Sequence, residues 1–245
     1  MHAEVRWQRT GPEVPRYLEQ SYWWAYVHPR AVRLFERQWL VNLILWGNFR
    51  RLRDAAIVAL GGRLGGRTLQ ISCVYGDLTR RIAAKLRRGA QLHVIDVLPI
   101  QLDNLARKLP HRLLKRRGPD DRDPPAVQLF QADSSALESR PGSYDRALIF
   151  FLLHEQPVEI RRRTLAEALR VVRKGGRIVI VDYHEPRRFN PLYWLMAGVF
   201  RTLEPYALDL WRDEIASWLP PGSGLAAIRK RTFFGGLYQL VTITV

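Results

Sequence analysis

Two apolar runs in the chain end in an aspartate: "HVIDV" carries Asp96 and "LFQAD" carries Asp133. A carboxylate at the carboxyl end of a buried strand can accept hydrogen bonds from both hydroxyls of a ribose, or meet the edge of an adenine ring. Asp96 lies 20 residues beyond Gly76, the single glycine of "LQISCVYGDLT" (69–79), which stands where a nucleotide-binding fold places its glycine-rich turn. One aspartate at a strand end is often only a helix cap. Two at matching strand ends after such a turn point to an adenosyl pocket. A second set of reactive groups follows later runs. His154 and Glu155 come after "ALIFFLL", and Asp182, His184 and Glu185 fall in "VDYHEP". Imidazole with carboxylate suits a divalent ion such as manganese, so His154, Glu155 and His184 are the candidate metal ligands. His154 has a second candidate role as an acid or base, because imidazole titrates near neutrality.

These residues need a frame that brings strand ends together. From residue 67 onward, strand-like and helix-like segments alternate. "RTLQISCV", "AQLHVIDV", "AVQLFQAD", "YDRALIFFLL" and "RIVIVDYH" read as strands, with helices at "LTRRIAAKLRRG", "PIQLDNLARKLPHRLLKRR" and "PVEIRRRTLAEALRVVRKGG" between them. "FFGGLYQLVTITV" reads as a closing strand pair. Alternation of this kind predicts an α/β fold: a Rossmann-like, doubly wound, mostly parallel sheet with its ligand at the strands' carboxyl ends. Near-continuous apolar strands such as "ALIFFLL" fit interior positions covered on both faces. Upstream, Val32, Phe35, Trp39, Leu43 and Trp46 recur at helical spacing, with expected breaks at His28-Pro29 and near Gly47. The expected organisation is an N-terminal helical, aromatic cap over 1–60 and a cofactor-binding domain over 61–245. The second unit carries an apolar helical insertion at about 187–220, and "HRLLKRRGPDDRDPP" is the expected long loop.

Composition narrows the class. The 245 residues suit one large α/β domain, and 47% apolar residues are ample for a core. Cys73 is the only cysteine, so no intrachain disulfide is possible and a cytoplasmic setting is expected. The first 20 residues lack the apolar stretch of a signal peptide, and "WLVNLILW" is far short of a membrane span. The net charge is +16, and arginine supplies 34 of the 39 basic residues. That balance suits a polyanion, either nucleic acid or an anionic membrane surface. No zinc, helix-turn-helix or RNA-binding motif accompanies it, so a nucleic-acid partner is the weaker expectation.

The turn, "VIDVLP", "QAD", "LIFFLLHEQP" and "LRVVRKGGRIVIVDYHEP" together resemble a class I SAM-dependent methyltransferase, and the last stretch is most similar to the quinone-ring methyltransferases of ubiquinone and menaquinone synthesis. Two features depart from those enzymes. The turn has Gln70, Ser72, Val74 and Tyr75 where the usual pattern, roughly "LDLGCGTG", has Asp, Gly, Gly and a small residue. The segment "YWWAYVHPRAVRLFERQWLVNLILWGNFRRLRDAAI" is unusually aromatic. Both departures resemble the rhodoquinone biosynthesis family, methyltransferase-like relatives that convert ubiquinone to rhodoquinone. The resemblance implies SAM as the donor of an amino group, a manganese ion, and replacement of a ring methoxy group by NH2. It implies cofactor contacts at Ser72, Val74, Gly76, Asp77, Asp96 and Asp133, with Tyr75 and His154 as catalytic residues. It further implies ubiquinone as substrate and a cytoplasmic enzyme held peripherally at the inner face of the bacterial cytoplasmic membrane. "FNPLYWLMAGVFRTLEPYALDLW" and "YWWAY" have the interfacial character such a place requires. Two other functions remain open on the residues alone: methyl transfer to a quinone or another aromatic ring, and non-catalytic nucleic-acid binding on a methyltransferase-like fold.

Overall fold

The computed structural model describes residues 11–18, 38–114 and 125–245. Five strands follow one another in parallel: β1 (Arg67–Ile71), β2 (Gln91–Asp96), β3 (Val127–Gln131), β4 (Tyr144–Phe150) and β5 (Val172–Tyr183). Then β6 (Ala227–Phe233) and β7 (Tyr238–Thr244) form an antiparallel pair, with β7 against β5. The seven-stranded order is β3-β2-β1-β4-β5-β7-β6. The chain winds outward from β1 to β3, then returns to lay β4 on the other side of β1. The crevice between β1 and β4 is therefore the switch point at which such sheets bind ligands. The structure bears out the mixed α/β, mostly parallel sheet read from the sequence.

Helices α3 (Leu78–Ala83), α4 (Pro99–Lys108), α5 (His111–Leu114) and α6 (Val158–Val171) lie in the connections. Ahead of β1 come α1 (Gln38–Ile44) and α2 (Phe49–Leu60), separated by a turn at Trp46 and Gly47, both at positive φ. The expected break near Gly47 is there; "YWWAY" and His28-Pro29 lie outside the described residues. Phe49, Leu52, Ala56 and Leu60 recur at helical spacing and are buried in the same cluster as β4 and β5. The hydrophobic core thus runs unbroken across residue 60. Phe49, Leu52 and Leu60 each contribute about 1.5–3 kcal/mol on full burial.

Three element boundaries differ from the sequence expectation. The helix expected over 99–117 stops at Lys108, and Leu109 is extended (φ −84°, ψ 139°) because the ring of Pro110 disfavours a helical residue before it. His111–Leu114 of the expected long loop is helical, and 115–124 lie outside the described residues. The closing hairpin starts six residues earlier than expected, at Ala227, and "FGG" (Phe234–Gly236) is its connection rather than strand. Between β5 and β6, α7 (Tyr193–Leu203), α8 (Asp209–Arg212) and a 3-10 turn at Ile215–Trp218 occupy the expected insertion.

Candidate active site

A cavity of about 460 Å³ opens at the carboxyl ends of the strands, walled by Ser72 after β1, Asp96 on β2, Asp133 after β3, Phe151 after β4 and Tyr183 on β5. Two of these wall residues hold strained backbone. Ser72 (φ 75°) and Phe151 (φ 54°) are left-handed without being glycine. Each keeps one ladder hydrogen bond, Ser72 N–H to Ile95 O at 2.9 Å and Phe151 N–H to Val181 O at 2.8 Å, and the chain then swings away from the sheet. Residues of this kind, at roughly 1–3 kcal/mol each, concentrate where a site must be preorganised.

The polar end centres on Asp96. Its Oδ2 accepts from Cys73 N–H at 2.7 Å and Ser72 Oγ–H at 3.2 Å, and its Oδ1 from Leu98 N–H at 2.9 Å. Burial pushes this carboxyl up to about 6, a rise that the three donors moderate. A buried carboxylate with acceptor capacity left beside a cavity is chemically matched to a vicinal diol, as the Asp96 expectation requires. Asp133 also lines the cavity, and its Oδ1 closes its own turn by accepting Ser135 N–H at 2.7 Å.

The altered turn is ordered by side chains. Buried Gln70 donates from Nε2 to Ser72 O at 3.0 Å, and its Oε1 accepts from Thr79 Oγ1 at 3.0 Å, tying the turn to α3. Val74 and Tyr75 both line the cavity, and Gln101 Nε2 donates to the Tyr75 hydroxyl at 2.9 Å, fixing the ring. Gly76 (φ 84°) turns the chain behind the wall, where a Cβ would stand 2.9 Å from the Phe49 ring. Asp77 faces away from the cavity. Its carboxylate oxygens are taken by Arg53 at 2.7 Å and Arg81 at 2.6 Å, and although burial opposes its charge, the two arginines hold its pKa below the usual range.

His154 and Glu155 sit in a buried 3-10 turn (Leu153–Glu155) directly after β4. His154 Nδ1 lies 2.9 Å from Asp182 Oδ1, and its Nε2 is 3.6 Å from Glu155 Oε1. Asp182 is fully buried on β5 and also accepts Leu153 N–H and Tyr183 N–H, each at 2.8 Å. Burial opposes charge on the ring, but Asp182, with Glu204 and Glu155 nearby, outweighs it and raises the His154 pKa to about 9. At neutral pH the group is an imidazolium, oriented by Asp182 and lining the cavity. Arg161 locks this turn from behind. It is fully buried, with Nε donating to Leu153 O at 2.9 Å and Nη2 to Gln156 O at 2.9 Å and Tyr206 O at 3.0 Å. Its guanidinium also stacks on Trp218 at 4.2 Å, so one side chain joins the His154 turn to the insertion.

Beyond His154 the cavity becomes aromatic. Phe151 and Tyr183 meet the His154 ring edge-on at 6.0 and 4.9 Å, and Phe200 of α7 meets Tyr183 at 4.7 Å. The cavity thus carries Asp96 and the Ser72 hydroxyl at one end and a wall of Phe151, Tyr183 and Phe200 at the other, where Glu155 and Glu204 also line it near His154.

The structure gathers Ser72, Val74, Tyr75, Asp96, Asp133, His154 and Glu155 around one cavity, and leaves Gly76, Asp77 and His184 outside its lining. His184 Nδ1 lies 2.9 Å from Gly236 O and its Nε2 3.3 Å from Lys230 Nζ. Manganese does not fit this donor set. His154 and Glu155 would supply two ligands, His154 Nδ1 is engaged by Asp182, and among the described residues no group of three or more His, Cys, Asp or Glu side chains converges as metal ligands would. Asp182 as the orienter of His154, the buried Arg161, and Tyr17, whose ring from the N-terminal segment lines the cavity near Glu155 and Asp133, were missed from sequence. Only Asp182 had a signal there, since it shares "VDYHEP" with His184; the other two act across long chain separations.

A family model described as "Methyltransferase domain" matches residues 68–176. The chain is 30% identical over 217 residues to the ubiquinone/menaquinone biosynthesis C-methyltransferase UbiE of Syntrophotalea carbinolica, covering 86% of this chain and 83% of that one. It is 28% identical to the demethylmenaquinone methyltransferase of Clavibacter sepedonicus, covering 81% of each. Among solved structures, a SAM-dependent methyltransferase from Aquifex aeolicus shares the fold at 13% identity, with a TM-score of 0.54 over 88% of this chain and 97% of that one. Human N-acetylserotonin methyltransferase, solved with SAM, shares it at 12% identity, with a TM-score of 0.59 over 94% of this chain and 60% of that one. With the switch-point cavity, the carboxylate at the end of β2 and relatives matched over most of their length, the chain belongs to the class I SAM-dependent methyltransferase family.

Proposed function

We propose that the cavity holds SAM at its Asp96 end and a ubiquinone ring against His154 and the aromatic wall, and that the product is the ring with one methoxy group replaced by an amino group. The observation that supports this reading is the junction itself: a buried His154, hydrogen-bonded to Asp182, between the Asp96 carboxylate and a wall of Phe151, Tyr183 and Phe200. A flat, weakly polar ring fits that wall by edge and face contacts. SAM, when bound, supplies the transferable group; the residues supply position and charge. A quinone carbon that bears methoxy and is conjugated to a carbonyl is electrophilic. Addition of the SAM amine there would move negative charge to the carbonyl oxygen, and return of that charge would expel methanol, with the proton coming from the amine. The ring nitrogen would then still carry the SAM Cα. Its release as NH2 would require elimination across Cα–Cβ, the Cβ proton passing to the nitrogen and the carbon skeleton leaving as the alkene. The His154 Nε2–H would donate to that oxygen, the role expected of a preorganised electrostatic group, with Asp182 fixing its direction. A lipid-soluble quinone as substrate would require the enzyme to meet a membrane surface, in this reading the inner face of the cytoplasmic membrane.

What favours amino over methyl transfer is the turn. Val74 and Tyr75 put bulk into the wall beside Ser72, and Gln101 holds the Tyr75 ring in place. In this reading the methionyl end of SAM is displaced so that its nitrogen faces the ring. Methyl transfer to a quinone ring is the second reading, favoured by relatives that are themselves quinone-pathway C-methyltransferases. The double change Val74→Gly with Tyr75→Thr separates the two. It leaves Asp96 and Asp133 in place, so SAM should still bind by calorimetry. Amino transfer per folded, SAM-bound molecule should fall at least about tenfold, since misplacement by about 1 Å costs on the order of a hundredfold. Full turnover in the double variant would mean that these residues only fill space.

A further inference from the structure

The mouth of the cavity has an unusual rim. Ile44, Trp46 and Leu203 line the cavity and are also exposed, so they form its lip. Trp46 Nε1 donates to Met196 Sδ at 3.4 Å, which joins the α1–α2 turn to α7 across the opening. Outward from this lip the apolar surface continues. On α1, Trp39 and Leu43 stand one helical turn apart and are 59% and 61% exposed. On α7, Trp194 is 76% exposed, and Leu195 beside it is 51% exposed. A helix in a soluble domain normally turns polar residues outward. Here α7 buries Met196 and Phe200 inward and shows tryptophan and leucine outward, so both faces are apolar.

The exposed charges around this rim are mostly basic, with Glu204 next to Leu203 in the cavity lining and the exposed Glu185 ahead of Arg187. Residues 186–203 contain Arg187, Arg188 and Arg201 with no Asp or Glu, and residues 38–53 contain Arg50, Arg51 and Arg53 with none either. All but Arg53 are exposed. Exposed tryptophan and leucine beside an excess of arginine is the chemistry of a surface that seats its aromatic rings at the headgroup boundary and its cations on lipid phosphate. A protein partner or a second copy would need acidic residues to meet five exposed arginines, and beside the face this chain offers only Glu185 and the partly buried Glu204 against them.

We propose that the face formed by α1, the α1–α2 turn and α7 docks on an anionic phospholipid bilayer, with the cavity mouth opening into the lipid. The proposal deepens the quinone reading, because a ring drawn from the bilayer would then pass the Trp46–Met196 lip into the aromatic wall without crossing water.

Flotation with vesicles tests it. The full chain should float with vesicles containing phosphatidylglycerol and much less with pure phosphatidylcholine. Arg187→Glu with Arg188→Glu should weaken the partition coefficient at least about tenfold, given roughly fivefold per basic residue near the surface. Trp194→Ala with Leu195→Ser should weaken it several-fold even at high salt, where screening removes the charge contribution. None of these four residues lines the cavity, so SAM binding should persist in both variants. The control is Arg87→Glu with Arg88→Glu. These exposed residues precede β2 at the opposite, amino-terminal end of the sheet and should matter little. An equal loss in the control would show attraction by net charge alone and overturn the proposed face. A dimer in sedimentation that the Trp194–Leu195 variant dissolves would assign the face to a second copy and also overturn it. Turnover of a short-tailed, water-soluble quinone keeps the two ideas apart. Flotation without such turnover overturns the quinone reading alone, and turnover without flotation overturns the docking face alone.

Discussion

Asp182→Asn is expected to lower turnover by about a hundredfold to a thousandfold while the chain still folds. Asp182 is the only carboxylate hydrogen-bonded to His154 Nδ1 among the described residues, and its other contacts are two backbone N–H groups. A carboxamide of the same shape keeps an acceptor for the backbone but not the negative charge that holds the ring protonated. The loss matches removal of one preorganised donor from a site that stabilises developing charge. Stability should report the same pair with a defined sign. The folded pKa of His154, about 9, lies above its ordinary value of 6.5. Its stabilising contribution is therefore complete below about pH 6.5 and disappears as pH rises through 9. Thermal unfolding of the wild type should show a fall across that window, and Asp182→Asn should flatten it. Asp182→Ala should be far worse, at about 3–5 kcal/mol, because it removes the closest partner of a buried cation and the acceptor of two buried backbone N–H groups. A pH profile identical in wild type and Asp182→Asn would mean that His154 is neutral in the folded protein.

Asp96 carries the second large effect. Asp96→Asn should weaken SAM binding by about 1.5–3 kcal/mol, the scale of a charge-assisted group meeting a diol. The carboxylate must be ionised to accept from both hydroxyls, and burial has pushed its pKa up to about 6. SAM affinity of the wild type should therefore decline as pH drops through about 6, and the asparagine variant should lack that step. The linkage to folding has the opposite direction from that of an ordinary ion-paired aspartate. A folded pKa above the ordinary 3.8 means that ionising Asp96 opposes folding as pH rises through about 6, and bound SAM offsets that cost. Calorimetry at several pH values, with unfolding of the apo and SAM-bound forms beside it, checks both statements. Unchanged affinity for Asp96→Asn would place the cofactor elsewhere.

The alternation of apolar strands with amphipathic helices was enough to read the parallel sheet, because β1, β2 and β4 are short, continuous and largely buried. The ends of strands were legible for the same reason: Asp96 is the last residue of β2 and Asp133 the second residue past β3. What the sequence hid was set by tertiary contact. Asp77 looked like a cofactor residue by its place in the turn, yet Arg53, 24 positions away, turns it from the cavity. His184 and His154 stand at neighbouring strand ends, but His184 packs on the β6–β7 connection through Gly236 O. Arg161 reads as one of many arginines on a helix surface, and only packing against Trp218 and Tyr206 shows it to be fully buried. The strained φ of Ser72 has no sequence signal beyond its place where a glycine is usual.

The most direct measurement is mass spectrometry of the quinone product after incubation of the purified enzyme with ubiquinone and SAM doubly labelled, with nitrogen-15 in the amino group and carbon-13 in the methyl group. The expected product has lost one ring methoxy group, gained nitrogen-15, and carries no carbon-13. Ubiquinone has no free ring carbon, so the methyl alternative is read in a parallel reaction on a quinol precursor that lacks the ring methyl group. Carbon-13 incorporated there, with ubiquinone returned unchanged, would contradict amino transfer and establish the enzyme as a quinone methyltransferase.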